Sequence, residues 1–129
     1  MRSSGDNLAT TGDGTGRART LRQLITANDL SLSMEAHDAL SAAVAARSGF
    51  AGLWASGLSN ASSPGYRNAN EAAWTQFVDV VERMSDATDC PVLVDGDSDF
   101  GNFNNAQLAA LRLWQRGAVA PPRGARCRV

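Results

Sequence analysis

Lysine is absent from the 129-residue sequence, so all twelve basic residues are arginines. A mechanism that needs an amine nucleophile or a lysine clamp on a phosphate therefore has no residue to use. The formal net charge of −1 provides no positive field for binding nucleic acid or an anionic membrane, and we expect neither as a partner. No apolar run approaches the roughly 20 residues that span a bilayer. The N-terminus has no apolar segment typical of a secretion signal, so the expected location is the cytoplasm.

Cysteine and histidine are also scarce. Cys90 and Cys127 lie far apart in the sequence and form neither a CxxC pair nor a Cys/His cluster. We expect Cys90 to be a buried free thiol, because free cysteine behaves as a small apolar side chain. His37 is the single histidine, and we assign it a structural hydrogen-bonding role.

The chain divides into three segments by composition. Residues 1–18 are mostly Gly, Ser, Thr, Asp and Asn, and they bury too little apolar surface to offset the entropy of ordering, which predicts a disordered leader. Residues 19–119 carry the folded domain. The Pro/Arg/Gly-biased residues 120–129 form a tail of different character.

The folded segment alternates between helical and strand patterns. Helices are predicted at 20–27, at 37–48, after an Asn-x-x-Glu capping box at 68–71, and at 104–116. Strands are predicted at 30–34, 50–54 and 91–95, and a fourth strand is expected to begin at 118–120. This order predicts parallel βαβ units and an α/β fold, either a doubly wound sheet or a barrel. In both architectures the ligands bind at the carboxyl ends of the strands.

An acidic segment follows the third predicted strand. Asp95, Asp97 and Asp99 place three carboxylates within five residues. Mg²⁺ prefers one or two such carboxylates, keeps several waters and takes further oxygens from a phosphate-bearing substrate. An EF-hand is excluded, since the sixth and twelfth loop positions are Phe100 and Ala106 rather than Gly and Glu. A solvated acidic turn is the alternative on spacing alone.

A turn of small residues follows the second predicted strand, with the sequence WASGLS at 54–59. Small side chains let backbone amides approach a ligand closely, and successive amides in such a turn bind anions. An ordinary Ser/Gly turn is the alternative.

Five segments resemble the phosphoenolpyruvate mutase family, in register from about Thr20 to about Val119. They are MEAHDALSA at 34–42, GLWASGLS at 52–59, NEAAWTQ at 70–76, MSDAT at 84–88 and DGDSDFGNFNNA at 95–106. The family is a homo-oligomeric (β/α)8 barrel within the isocitrate lyase superfamily. The resemblance implies a truncated barrel here, with about three βα units preceded by an N-terminal helix.

The resemblance also implies an isomerase that interconverts phosphoenolpyruvate and phosphonopyruvate with Mg²⁺, the carbon–phosphorus bond-forming step of phosphonate biosynthesis. Asp95 and Asp97 fall on the family's metal carboxylates. Ser56, Gly57 and Leu58 fall on the segment that holds the substrate carboxylate, and Trp54 falls on the aromatic wall of the pocket. The alternatives are a phosphonopyruvate hydrolase or another superfamily member, and a non-catalytic remnant or associating module.

Two positions depart from the family pattern. Asn68 stands where the family has an Asp placed at the transferring phosphoryl group, so it either impairs that step or serves only as a helix N-cap. After Val119 the family continues with a strand and an EDK-containing segment, whereas this sequence continues with two prolines and an Arg-rich tail. That change is typical of a shifted reading frame, and we expect the chain as given to be inactive and a poor autonomous fold.

Overall fold

The computed structural model describes residues 14–67, 73–96 and 103–119. Five helices and three strands occur in these ranges. They are α1 (Gly14–Thr26), β1 (Ser33–Ala36), α2 (Ala39–Arg47), β2 (Gly52–Ala55), α3 (Gly57–Ser62), α4 (Trp74–Asp86), β3 (Val92–Val94) and α5 (Phe103–Gln115). None of these helices is long and apolar enough to cross a bilayer.

The three strands form one parallel sheet in the order β1-β2-β3. Val119 forms an isolated parallel bridge beside β3, within the segment where a fourth strand was predicted to begin: it donates to the Val92 carbonyl at 2.8 Å and accepts from the Val94 amide at 3.3 Å. Consecutive parallel neighbours joined by helices are the repeating unit of a (β/α)8 barrel. The predicted α/β class is therefore confirmed.

The core lies between the sheet and the helices that cover one of its faces. Leu53 and Val92 are fully buried in the strands, and α4 packs Val78, Val81 and Met84 against them. This helix has the apolar stripe that its sequence predicts, since these residues recur at helical spacing. Burying such side chains contributes roughly 1.5–3 kcal/mol each.

The helix ends follow ordinary backbone chemistry. α2 is preceded by Asp38 and followed by Gly49, whose φ of 92° is a left-handed conformation that glycine adopts without steric cost. Gly117 has the same role after α5, with a φ of 79°. Both glycines thus terminate their helices.

The first strand is displaced from its predicted position at 30–34. Leu30 and Leu32 are 89% and 60% exposed, and pairing begins only where Ser33 meets Gly52. The partner strand cannot extend further back, because the chain leaves α2 through the turn at Gly49 just before β2 begins. The alternating leucines therefore precede the strand, while Glu35 and Ala36 belong to the strand itself.

The boundary of the predicted leader is wrong at its C-terminal end, since residues 14–18 lie within α1. The reason is Arg17, whose guanidinium donates to the carbonyls of Ser85 at 2.7 Å, Thr88 at 2.9 Å and Gly117 at 3.4 Å. These carbonyls lie near the C-terminal ends of α4 and α5, which lack intrahelical partners for their last carbonyl groups. Residues 1–13 lie outside the described ranges.

In α5 the buried residues are Ala109 and Leu113, while Leu108, Leu111 and Trp114 are 40–51% exposed. Ala109 and Leu113 are four residues apart and so lie on one face of the helix, and Leu113 belongs to the core. Cys90 is a free thiol, as predicted, but it is half-buried against the edge of the core rather than enclosed.

Candidate active site at the carboxyl edge of the sheet

The candidate site residues that the structure describes lie where the strands end. β1, β2 and β3 end at Ala36, Ala55 and Val94, and these ends adjoin because the strands are parallel and paired in register. His37, Ser56 and Asp95 follow directly. Successive side chains of a strand alternate between its two faces, so these three lie on the face opposite the buried Ala36, Ala55 and Val94.

Trp54 precedes this edge on β2. It pairs with Glu35 of β1 and Leu93 of β3, so the three side chains share one face of the sheet. Trp54 is half-buried. An aromatic side chain at this place can form one wall of a pocket that opens at the carboxyl edge.

The turn after β2 is the start of a helix rather than an extended loop. Ser56 is 7% exposed and takes the N-cap position of α3 in extended backbone conformation, but its side chain makes no capping hydrogen bond. Gly57 is buried and Leu58 is 54% exposed. The Ser56 hydroxyl is thus not consumed by capping, and the first-turn amides of α3 start at the strand end.

Asn60 fixes the conformation of this turn from within α3. Its side-chain Nδ2 donates to the Ser56 carbonyl at 2.7 Å, and its backbone N–H donates to the same carbonyl at 3.1 Å. Asn60 is 6% exposed, and its Oδ1 has no hydrogen-bond partner in the described part of the chain. The sequence offered only a weak signal for this role, a single amide side chain in a segment of small residues.

Asp95 is held beside Ser56 by the backbone. Its N–H donates to the Ala55 carbonyl at 3.0 Å, which extends the β2–β3 ladder one residue beyond β3. Asp95 is half-buried and takes part in a further interaction. The structure therefore brings Trp54, Ser56, Gly57, Leu58 and Asp95 to one edge. Asn68 and Asp97 lie outside the described residues.

Oxygen donors dominate this edge, which is the donor set that Mg²⁺ prefers. Among the residues that the structure describes, no group of three or more His, Cys, Asp or Glu side chains is placed to hold a metal. Mg²⁺ does not need such a group, since it is commonly held by one or two carboxylates with water and substrate oxygens. Asp95 is compatible with that role.

The start of α2 forms the β1 part of the edge. The Ser41 N–H donates to Asp38 Oδ1 at 2.7 Å, and the Asp38 N–H donates to Ser41 Oγ at 3.1 Å, a reciprocal capping box. The backbone hydrogen bond from Ser41 lowers the pKa of Asp38 below its ordinary value, because it stabilises the carboxylate. His37 lies beside it, with Nε2 4.0 Å from Asp38 Oδ2.

Glu35 makes the contact that crosses the site. The Ser59 hydroxyl in α3 donates to Glu35 Oε1 on β1. No role of Glu35 can be predicted from the sequence, because the contact joins residues 24 positions apart and belongs to no local pattern. The polar character of the strand end was the only signal.

Parallel βα units with a polar carboxyl edge are typical of α/β proteins that bind ligands at that edge. The family model described as phosphoenolpyruvate phosphomutase matches residues 21–121, most of the chain. The chain therefore belongs to the phosphoenolpyruvate mutase family. This agrees with the family resemblance of the five sequence segments.

Individual relatives agree with that assignment. The chain is 47% identical over 102 residues to the phosphoenolpyruvate phosphomutase of Tetrahymena pyriformis, covering 79% of this chain and 34% of the relative. A crystal structure of the phosphoenolpyruvate phosphomutase from Streptomyces platensis subsp. rosaceus superposes with a TM-score of 0.74 at 35% identity, covering 78% and 35% of the two chains. The chain thus spans about a third of the length of these relatives.

The phosphonopyruvate hydrolases are more distant. The hydrolase of Variovorax sp. is 28% identical over 102 residues, covering 79% of this chain and 35% of that protein. A phosphonopyruvate hydrolase structure in complex with oxalate and Mg²⁺ superposes with a TM-score of 0.74 at 26% identity, covering 79% and 36%. The sequence is therefore closer to the mutase than to this hydrolase, while the backbone fits both equally.

Proposed function

We propose that this chain carries part of the active site of a phosphoenolpyruvate mutase, an isomerase that interconverts phosphoenolpyruvate and phosphonopyruvate. The observation that carries the proposal is the juxtaposition of Ser56 and Asp95 at one sheet edge, with Asp95 tied by its N–H to the strand end that precedes Ser56. A substrate with a carboxylate and a phosphoryl group needs both an anion-binding turn and a metal-binding carboxylate there.

The turn at residues 56–58 would hold the substrate carboxylate. The Ser56 hydroxyl and the amides of Gly57 and Leu58 are hydrogen-bond donors, and donors fixed before the substrate arrives need no reorganisation during the reaction. Trp54 would form the wall that keeps the pyruvate unit in place. The proposed role of these residues is to orient the enolate carbon toward the phosphoryl group while the oxygen–phosphorus bond breaks.

Asp95 and Asp97 are proposed to hold Mg²⁺. When bound, this ion supplies charge neutralisation for the enolate and phosphoryl oxygens. A related phosphonopyruvate hydrolase has been crystallised with Mg²⁺, which supports a divalent metal in this family. An Asp95→Asn variant is expected to lose Mg²⁺ affinity without unfolding, because the side chain keeps its shape but loses its charge.

Asn68 is the proposed weak point of the site. An amide cannot supply the negative charge that an Asp would place at the transferring phosphoryl group, so phosphoryl transfer is expected to be slow. The competing hypothesis is that Asn68 only caps a helix, since Asn is among the best N-cap residues. The capping box predicted at 68–71 does not open α4, however, because α4 begins at Trp74 with Ala73 as its N-cap. The two hypotheses differ in whether Asn68→Asp changes the catalytic rate.

A chimera tests the proposal, because the chain spans about a third of its relatives. Residues 21–119 would replace the matching third of the Tetrahymena pyriformis enzyme, and conversion of phosphonopyruvate to phosphoenolpyruvate would be followed by ³¹P NMR with Mg²⁺. We expect turnover that Asp95→Asn abolishes and Asn68→Asp increases. A correctly folded chimera without turnover, even with Asn68→Asp, would contradict the proposed site.

Two other functions are decided by the same assay. A phosphonopyruvate hydrolase would release inorganic phosphate and pyruvate instead of phosphoenolpyruvate. A non-catalytic associating module would leave the chimera inactive in every variant. We further propose a role in phosphonate biosynthesis, a cytoplasmic location and a homo-oligomeric assembly, in line with the expectations from the sequence.

A further inference from the structure

The helix α3 is too short to hold its own position. It contains six residues, whereas an isolated helix needs about 12–15 residues to become marginally stable in water. Its N-cap residue Ser56 makes no side-chain capping bond. The location of its first turn therefore depends on contacts that its other residues make with the rest of the fold.

Among the residues that the structure describes, two side chains of α3 make hydrogen bonds, and the helix also packs against α4. Asn60 donates to the Ser56 carbonyl, so this bond lies within the turn itself. Ser59 donates its hydroxyl to the Glu35 carboxylate of β1, the strand that pairs with β2. The Ser59–Glu35 hydrogen bond therefore joins α3 directly to β1.

Glu35 is itself well fixed. It lies within β1 and pairs in register with Trp54, so its backbone is part of the parallel ladder. A carboxylate accepts stronger hydrogen bonds than a neutral oxygen, which makes the contact with Ser59 a charge-assisted one. The hydrogen bond therefore links α3, whose first residues lie at the candidate site, to a strand whose backbone is held in the sheet.

We propose that Glu35 is a positioning residue: through Ser59 it fixes the first turn of α3, and with it the donors of residues 56–58, relative to Trp54 and Asp95. The inference rests on the proposed function, since it concerns the turn that would bind a substrate carboxylate. Glu35 itself touches no reacting atom. The positioning role requires that residue 35 provide an oxygen that accepts a hydrogen bond; it does not require a negative charge.

The test uses the full chain, ¹⁵N-labelled, with Mg²⁺ and oxalate as the probe, because oxalate is the ligand in a related hydrolase structure. Affinity is read from the amide shifts of Gly57 and Leu58 during titration. Ordering of α3 is read without ligand, from the exchange of the Asn60 and Ser63 amides, which donate to Ser56 and Ser59 carbonyls at 3.1 Å and 2.9 Å.

Removing either side of the contact is expected to have the same effect. Glu35→Ala and Ser59→Ala should each weaken oxalate binding about tenfold and speed amide exchange in α3 about fivefold, the size expected for one charge-assisted hydrogen bond. The double variant should be no weaker than either single variant, because both remove one interaction. Glu35→Gln keeps an acceptor and should bind within about threefold of wild type.

Ser62→Ala, in the same helix, is the matched control and should change neither readout. If wild type binds oxalate and Glu35→Ala binds it equally well, the positioning role is wrong while the proposed function stands. Additive losses in the double variant, or a loss in Glu35→Gln as large as in Glu35→Ala, would also overturn it. If wild type does not bind oxalate, amide exchange alone decides, and unchanged exchange in Glu35→Ala would reject the positioning role, while the proposed function is judged by the chimera.

Discussion

Replacing Arg17 tests how the N-terminal helix is joined to the sheet. Its guanidinium makes two well-formed hydrogen bonds, to the carbonyls of Ser85 and Thr88, and a long one of 3.4 Å to Gly117. Hydrogen bonds from charged donors contribute about 1.5–3 kcal/mol each when buried. Because Arg17 is only half-buried, we assign about 1 kcal/mol to each of the two short bonds and little to the third.

Arg17→Ala is therefore expected to lower the free energy of unfolding by about 2 kcal/mol. With a urea dependence of roughly 2 kcal/mol per molar, the unfolding midpoint should fall by about 1 M. Arg17→Lys separates charge from geometry, since an ammonium keeps the charge but lacks the planar fork that reaches several carbonyls at once. We expect Lys to recover less than half of the loss.

The matched control is Arg19→Ala, because Arg19 lies two residues further along α1 and is exposed. Its midpoint should stay within the roughly 0.5 kcal/mol typical of surface substitutions. If Arg17→Ala is as stable as Arg19→Ala, the hydrogen bonds of Arg17 do not stabilise the fold. If Arg17→Lys is as stable as wild type, the positive charge alone accounts for the effect and the planar guanidinium is not needed.

Three further predictions concern single side chains. Ser85 is 1% exposed and its Oγ has no hydrogen-bond partner in the described ranges, so Ser85→Ala should raise the urea midpoint or leave it unchanged; a loss above about 1 kcal/mol would reveal a missed partner. Leu53→Ala should lower the free energy of unfolding by about 2–5 kcal/mol, since Leu53 is fully buried, and a smaller loss would mean that the sheet collapses around the cavity. The hydrogen bond from Ser41 lowers the pKa of Asp38 below its ordinary value of 3.8, so the ionised carboxylate stabilises the fold above that value, and this contribution is lost as the pH falls through the lower folded-state pKa. The stability difference between wild type and Asp38→Asn should therefore shrink on acidification below the ordinary pKa, and a difference that grows on acidification would contradict the assignment.

The sequence predicted the elements whose faces differ clearly in polarity. α4 was predictable because its apolar residues recur at helical spacing along one side, and β3 because its run of apolar residues is short and uninterrupted. The start of β1 was not predictable, since the alternation of Leu30 and Leu32 resembles a strand but has no partner strand beside it. The point at which β1 begins to pair depends on where the turn before β2 ends. The alternation of residues along β1 carries no information about that turn.

The candidate site was predictable to a similar extent. The order of the strands placed the turn at Ser56 and the carboxylate of Asp95 at one edge, because parallel strands end together. The helical form of residues 57–62 and the contact of Glu35 with Ser59 were not anticipated. Short helices and contacts between distant residues depend on tertiary packing, so they become visible only in three dimensions.

The small side chains beneath α2 have a consequence for how this edge can vary. Ala42 and Ala45 of the helix are buried, as are Ala36 and Ala55 at the ends of the two strands on which α2 packs. Because these methyl groups are fully packed, inserting more atoms here costs about 1–3 kcal/mol or moves the backbone. A helix pushed outward would carry the ends of β1 and β2 with it. Selection for a precise spacing between neighbouring strand ends would therefore act on these four alanines, although they contact no ligand.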